Sequence, residues 1–100
     1  MEQFLYQLMP TRADMLLDGL TDRENEVIDS HSAYLEDLKE KGVLKLAGRT
    51  TNTDAPGFGV VVFEAKNEEA ARLVMADDPA VKERVLAAQL FPFRIALMGE

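Results

Sequence analysis

The chain of 100 residues has no cysteine, no tryptophan, a single histidine, four prolines and six glycines. Without thiols there are no disulfides and no thiolate nucleophiles. That leaves the compartment open, with the cytoplasm as the default expectation. One histidine among scattered carboxylates lacks the ligand spacing of a zinc centre, so no metal site is expected. No apolar run approaches the roughly 18 residues that span a bilayer. The opening MEQFLYQLMP shows neither a basic leader nor a cleavage-site pattern, so neither a signal peptide nor a membrane partner is expected. Walker-type loops, the G-x-G-x-x-G fingerprint and the serine nucleophile elbow are also missing. No cofactor is called for.

Basic charge is scarce. Eleven Lys and Arg face 18 Asp and Glu, for a net charge of −7. Phosphate neutralisation needs clustered Lys and Arg, and no such cluster exists, so nucleic acid is not an expected partner. What is present is a globular composition, 47% apolar and 29% charged, of a length that makes one small domain over residues 1–100.

Thr21 to Gly42 stands out. Thr21 with Glu24 three residues later forms a capping box, and Gly42 supplies a helix stop. At about 100° per residue, Val27, Ile28, Tyr34, Leu35 and Leu38 all fall within about 60° of His31. Asp22, Glu26, Asp29, Glu36 and Glu40 fall on the far side. The only histidine therefore sits in the middle of the stripe to be buried.

Before this helix, Gln3 to Met9 reads as a strand with Phe4, Tyr6 and Leu8 on one face, ended by Pro10. Thr11 to Gly19 is a connector in which Ala13, Met15, Leu16 and Leu17 suggest a helical turn closing on the core. After the helix, Val43 to Gly48 is a second strand and Thr50 to Gly57 a turn-rich loop, a candidate cleft rim. Phe58 to Ala65 is a strand apolar on both faces, which needs cover on both. Asn67 caps a helix over Glu68 to Ala76, which Asp77-Asp78-Pro79 breaks. A short turn over Ala80 to Glu83 leads into a long last strand, Arg84 to Leu97. It carries Val85, Ala87, Phe91, Phe93, Ile95 and Leu97 on one face. Pro92 in that strand marks a bulge or an edge.

Strand, helix, strand, strand, helix, strand is the order of the ferredoxin-like split unit. The expected fold is α+β, an antiparallel βαββαβ sheet with two helices on one face. The other sheet face is too rich in Val, Phe and Leu to meet water, so a homodimer through that face is expected.

Two features can carry chemistry. His31 is either a satisfied core histidine or a general acid/base whose tautomer an aspartate fixes. Asp78 is either a helix stop or that aspartate, because the end of the second helix lies on the same sheet face as the first. Arg12 and Arg94 are candidates to pair with an anionic substrate, against their plain reading as surface arginines. Tyr6 and Phe93 are candidates to line a pocket between sheet and helix, against their plain reading as core.

The segment Glu24-Asn25-Glu26-Val27-Ile28-Asp29-Ser30-His31-Ser32-Ala33-Tyr34-Leu35 is followed by Gly42, Leu46-Ala47-Gly48, Gly59 to Phe63, Glu69-Ala70, Asp78-Pro79-Ala80-Val81 and Phe91-Pro92-Phe93. In that order and spacing, these pieces resemble the YCII-related (YciI-like) family over nearly the whole chain. The resemblance implies a dimeric α+β barrel. It places the family's proposed active-site pair on His31 and Asp78. It also implies relatedness to enzymes acting on small cyclic or aromatic-derived compounds, with a dehydrochlorinase in one branch. Two positions depart from the family pattern, Arg49 after Gly48 in place of proline and Arg84 in place of glycine, and both bear on the cleft mouth. The expected function is a cofactor-independent lyase or isomerase on a small molecule. The alternatives are a ligand-binding module without turnover and a structural dimerisation domain with His31 as a buried anchor.

Overall fold

The computed structural model describes residues 1–12, 15–52 and 57–99, with Leu16 and Leu17 described by their backbone alone. The expected packing of Ala13, Leu16 and Leu17, and the middle of the Thr50 to Gly57 loop, lie outside the described residues. Strand β1 spans Glu2–Pro10, helix α1 Met15–Asp18, α2 Asp22–Glu40, β2 Leu44–Arg49 and β3 Gly59–Ala65. Helix α3 spans Glu68–Asp77, α4 Pro79–Lys82 and β4 Leu86–Pro92. The strands form one four-stranded sheet in the order β2-β3-β1-β4, every pairing antiparallel. This is the expected α+β, ferredoxin-like arrangement, with α2 and α3 on one face.

Local chemistry sets the helix ends. The Thr21 hydroxyl accepts from the Glu24 N–H while the Glu24 carboxylate accepts from the Thr21 N–H, a reciprocal capping box. At the other end of α2, Gly42 has φ +77°. There its N–H bonds the Lys39 carbonyl and the Val43 N–H bonds that of Leu38, the paired closure that requires a left-handed residue. Asn67 caps α3 by accepting from the Ala70 N–H at 2.8 Å. The helix ends at Asp78, whose extended ψ of 123° suits a residue before proline. Asp78 then caps α4, with Pro79 as its first helical residue.

The core lies between the inner sheet face and the helices. Phe4, Tyr6 and Leu8 of β1 join Val61, Phe63 and Ala65 of β3 and Ala71 of α3, with Leu35, Val74 and Met75 packed against them. Fully burying one such large apolar side chain is worth about 1.5–3 kcal/mol, so these central rows fix the register. On the outer face, Leu46, Val62, Leu5 and Phe91 face one another across all four strands. Leu46 (49% exposed) and Phe91 (37% exposed) close the two ends of that apolar row.

The last strand differs from its expected form. It stops at Pro92 instead of running to Leu97, because proline brings no N–H to the ladder. Beyond it the Phe93 N–H bonds the Gln3 carbonyl, and the Ile95 N–H turns to the Gln3 side chain at 2.7 Å. Strand β4 is an edge, where a proline is tolerated. The residues it packs on the core are Leu86, Ala88 and Leu90, the alternate set to Ala87 and Phe91. Arg84, just before β4, has φ 61°, the conformation that makes glycine the favoured residue at such a corner.

Candidate functional site

His31 lies midway along α2, and its Nδ1 is 2.7 Å from Oδ1 and 2.8 Å from Oδ2 of Asp78. Asp78 is fully buried. The Tyr6 hydroxyl donates to its Oδ2 at 2.7 Å, and the Ala80 N–H donates to its Oδ1 at 3.0 Å. The carboxylate is thus surrounded by donors from β1, α2 and α4. A carboxylate only accepts, so the ring nitrogen that meets it is the one carrying hydrogen. That leaves Nε2 as the unprotonated nitrogen of the neutral ring. Nε2 has no hydrogen-bond partner among the described residues.

Several contacts hold the two elements in place. One turn beyond His31, the Tyr34 hydroxyl donates to the Val74 carbonyl at 2.6 Å, tying α2 to α3. Burial, with the charges of Asp77, Asp78 and Asp37 added, pushes the Tyr34 hydroxyl up to about 12, so it stays a donor. Arg23, at the start of α2, donates to the Glu83 carbonyl at 3.1 Å, beside the end of α4. Below the pair, the Tyr6 ring meets Phe63 edge-on with centroids 5.6 Å apart. Burial and the Asp78 charge raise the Tyr6 pKa far above that of a free phenol.

His31 lines a cleft of about 520 Å³ between α2 and the sheet, within the usual range of small-molecule sites. Ile28, Ser32 and Leu35 flank it on α2, while Leu8, Ala47, Gly59 and Val61 form the sheet side. Met15, Leu20 and Leu86 also line it, as do Arg49, Thr50, Asn52 and Phe58. None of the described residues lining it is acidic, although the chain as a whole carries 18 Asp and Glu.

The structure brings His31 and Asp78 together and sends the other candidates elsewhere. Tyr6 is wholly buried beneath Asp78. Leu8, on the same face of β1, lines the cleft, whereas the Tyr6 hydroxyl is spent on Asp78, so Tyr6 supports the aspartate instead of lining the cleft. Arg12 is held by Glu24 at 2.7 Å and donates to the Gly19 carbonyl at 2.8 Å, an anchor for the chain entering α2. Phe93 and Arg94 follow Pro92, past the end of the ladder, and neither lines the cleft. Sequence reasoning passed over Ser32, which follows His31, and Phe58, which it set in a strand. Arg49, noted only as a departure from a pattern, also lines the cleft. The signal available for Arg49 was its place at the end of a strand beside a polar loop.

Compared with known protein families, the chain matches the model of the YCII-related domain over residues 5–94. The chain belongs to the YCII-related family. No curated protein matches it. Among solved structures it is similar to 5-chloro-2-hydroxyhydroquinone dehydrochlorinase (TftG) from Burkholderia phenoliruptrix AC1100, in complex with 2,5-dihydroxybenzoquinone. The identity is 20% and the TM-score 0.67, covering 92% of this chain and 93% of that one. It is also similar to an antibiotic biosynthesis monooxygenase, at 8% identity and TM-score 0.51, covering 95% and 99% of the two chains. At these identities the likeness is one of fold. Among the described residues of this YCII-related chain, no group of three or more His, Asp or Glu is placed to hold a metal ion. Among the described residues, no helix is long and apolar enough to cross a membrane.

Proposed function

We propose that this YCII-related protein is a cofactor-independent lyase or isomerase acting on a small cyclic or aromatic-derived molecule. The observation that carries the reading is the His31–Asp78 pair at the wall of the cleft, with Nδ1 tied to the carboxylate and Nε2 without a partner among the described residues. Nε2 takes a proton from a carbon next to a carbonyl. The C–H electron pair then forms a C=C bond as the carbonyl π electrons move onto oxygen. When the oxygen electrons return, either a leaving group departs from the neighbouring carbon with its bonding pair, or, where a further C=C is conjugated with the enolate, the pair shifts along it and the proton is delivered to its far carbon. The first outcome is loss of H–X, with the proton passing from His31 to solvent, and the second is isomerisation. Asp78 orients the imidazole and stabilises the imidazolium formed in either case. The TftG likeness supports the substrate class, since that protein's ligand is a small oxygenated ring.

We further propose that the protein works as a homodimer paired through the outer sheet face, whose apolar row Leu46, Val62, Leu5 and Phe91 is exposed at its Leu46 and Phe91 ends. Sedimentation at low micromolar concentration is expected to give a species of twice the chain mass, and a monomer would count against that interface. The cytoplasm remains the proposed site of action.

The reaction is tested by incubating small hydroxylated, halogenated and ketonic rings with the protein in D2O. Product formation and carbon-bound deuterium are followed for wild type beside His31→Ala and Asp78→Asn. Turnover by wild type that both substitutions abolish is expected. Turnover surviving both would remove the mechanism, and saturable binding without turnover would make the cleft a binding module.

A further inference from the structure

We infer that Arg49 makes the cleft selective for anionic substrates, holding a carboxylate or comparable oxyanion at the β2 edge of the cleft, where Thr50 and Phe58 also line it. The inference rests on the reading of the cleft as the substrate site and names the class of molecule it takes.

The direction of the side chain follows from the sheet. Arg49 is the last residue of β2, in register with Gly59 of β3, which is in register with Leu8 of β1. A Cβ placed on Gly59 would lie 3.7 Å from the Leu8 Cβ and 3.8 Å from the Arg49 Cβ. All three positions therefore point to the same face. Leu8 belongs to the helix-side core, so Arg49 leaves the sheet on the side of α2 and His31. Between the two, the missing side chain of Gly59 leaves the floor of the row open, and a Cβ there would also press on the Gly48 carbonyl oxygen at 3.2 Å.

Charge gives the second argument. Arg12, Arg23, Lys41, Lys45 and Arg72 each pair with a carboxylate. Among the described residues Arg49, like Lys39, Lys66, Lys82, Arg84 and Arg94, has no carboxylate partner, and of these six it alone lines the cleft with His31. In an acidic chain of net charge −7, the cleft wall thus holds an unpaired guanidinium, a histidine and no described carboxylate. The rest of the lining is largely apolar, with Leu8, Leu35, Phe58 and Val61 among it. A planar fork of donors beside apolar walls suits a ring or short chain bearing a carboxylate, which it can grip through two parallel bonds. The anion then fixes the substrate at one end while its reacting carbon lies toward His31.

The test compares benzoate with benzamide, equal in shape and different in charge, titrated into the isotope-labelled protein while the His31 and Gly59 resonances are followed. Wild type is expected to bind benzoate about tenfold or more tighter than benzamide, the worth of a charge-assisted pair. Arg49→Gln should bind both equally, at the wild-type benzamide affinity, and Arg49→Lys should keep part of the preference. In His31→Gln the preference should survive, which separates this inference from the catalytic one. If turnover proves independent of His31 while the preference follows Arg49, only the mechanism fails. Equal binding by wild type, a preference that persists in Arg49→Gln, or cleft resonances unmoved by millimolar benzoate would each overturn the inference.

Discussion

Two carboxylates are buried among the described residues, Glu24 and Asp78, and they end in different places. Glu24 accepts from Arg12 Nε at 3.1 Å, Arg12 Nη2 at 2.7 Å and the Thr21 N–H at 2.8 Å. Its network closes within the fold, where it fastens the start of α2. Asp78 is equally well supplied with donors, but one of them is an imidazole whose other nitrogen has no partner among the described residues and whose ring lines a cleft. A buried charge whose partners are all spent on structure explains a helix cap. One whose chain of hydrogen bonds stops at an unpartnered base beside a cavity of substrate size points to chemistry.

The largest effect should fall on turnover. Replacing His31 by Ala is expected to lower kcat by about 10²–10⁴-fold, the worth of a positioned general acid/base. Glu24→Gln should leave kcat within about threefold. Steady-state rates on any substrate found in the D2O screen check this, and equal losses in the two variants would erase the distinction.

Stability should show the converse likeness. Asp78→Ala strands the Tyr6 hydroxyl, the Ala80 N–H and His31 Nδ1, and should cost about 3 kcal/mol, whereas Asp78→Asn keeps an acceptor and should cost about 1 kcal/mol. For a chain of this size the Ala variant should melt on the order of 15 °C lower, as calorimetry would measure.

The acid side distinguishes Glu24. The Arg12 guanidinium, helped by the Thr21 N–H, holds its carboxyl down at about 2 from an ordinary 4.5. A group with a lowered folded-state pKa stabilises the fold above its unfolded value and loses that contribution as pH falls. Stability from Glu24 should therefore be full above about pH 4.5 and fade toward pH 2, and Glu24→Gln should flatten that part of a chemical-denaturation profile.

The smallest effect is expected at Arg84. Arg84→Gly relieves a left-handed φ and should raise stability by up to about 1 kcal/mol, while leaving the His31–Asp78 geometry and turnover unchanged.

Much of the fold was legible because its signals are local. The Thr21 and Glu24 box, the Gly42 stop, the Asn67 cap and the alternation of Phe4, Tyr6 and Leu8 each act within a few residues. The end of β4 was less so: apolar alternation continues through Phe93, Ile95 and Leu97, while the missing N–H of Pro92 and the competing acceptors on Gln3 decide where the ladder stops. The site was legible in kind and not in detail. A histidine on an apolar stripe and an aspartate before proline can be read along the chain, but their contact spans 47 positions and depends on how α2 crosses the junction of α3 and α4. Tyr6 looked like a pocket aromatic because alternation gives a face and no depth. Arg12 looked available because nothing in its spacing reveals the Glu24 carboxylate 12 positions on. Arg49 needed the register of β2 on β3 before its side could be known.

The central claim is that Asp78 fixes His31 with hydrogen on Nδ1 and offers Nε2 to the cleft. Its most direct test is a long-range ¹⁵N–¹H correlation of the imidazole in wild type and Asp78→Asn, at a pH where the ring is neutral. A single Nδ1–H tautomer is expected in wild type, lost or mixed in Asp78→Asn. A wild-type ring with hydrogen on Nε2 would contradict it.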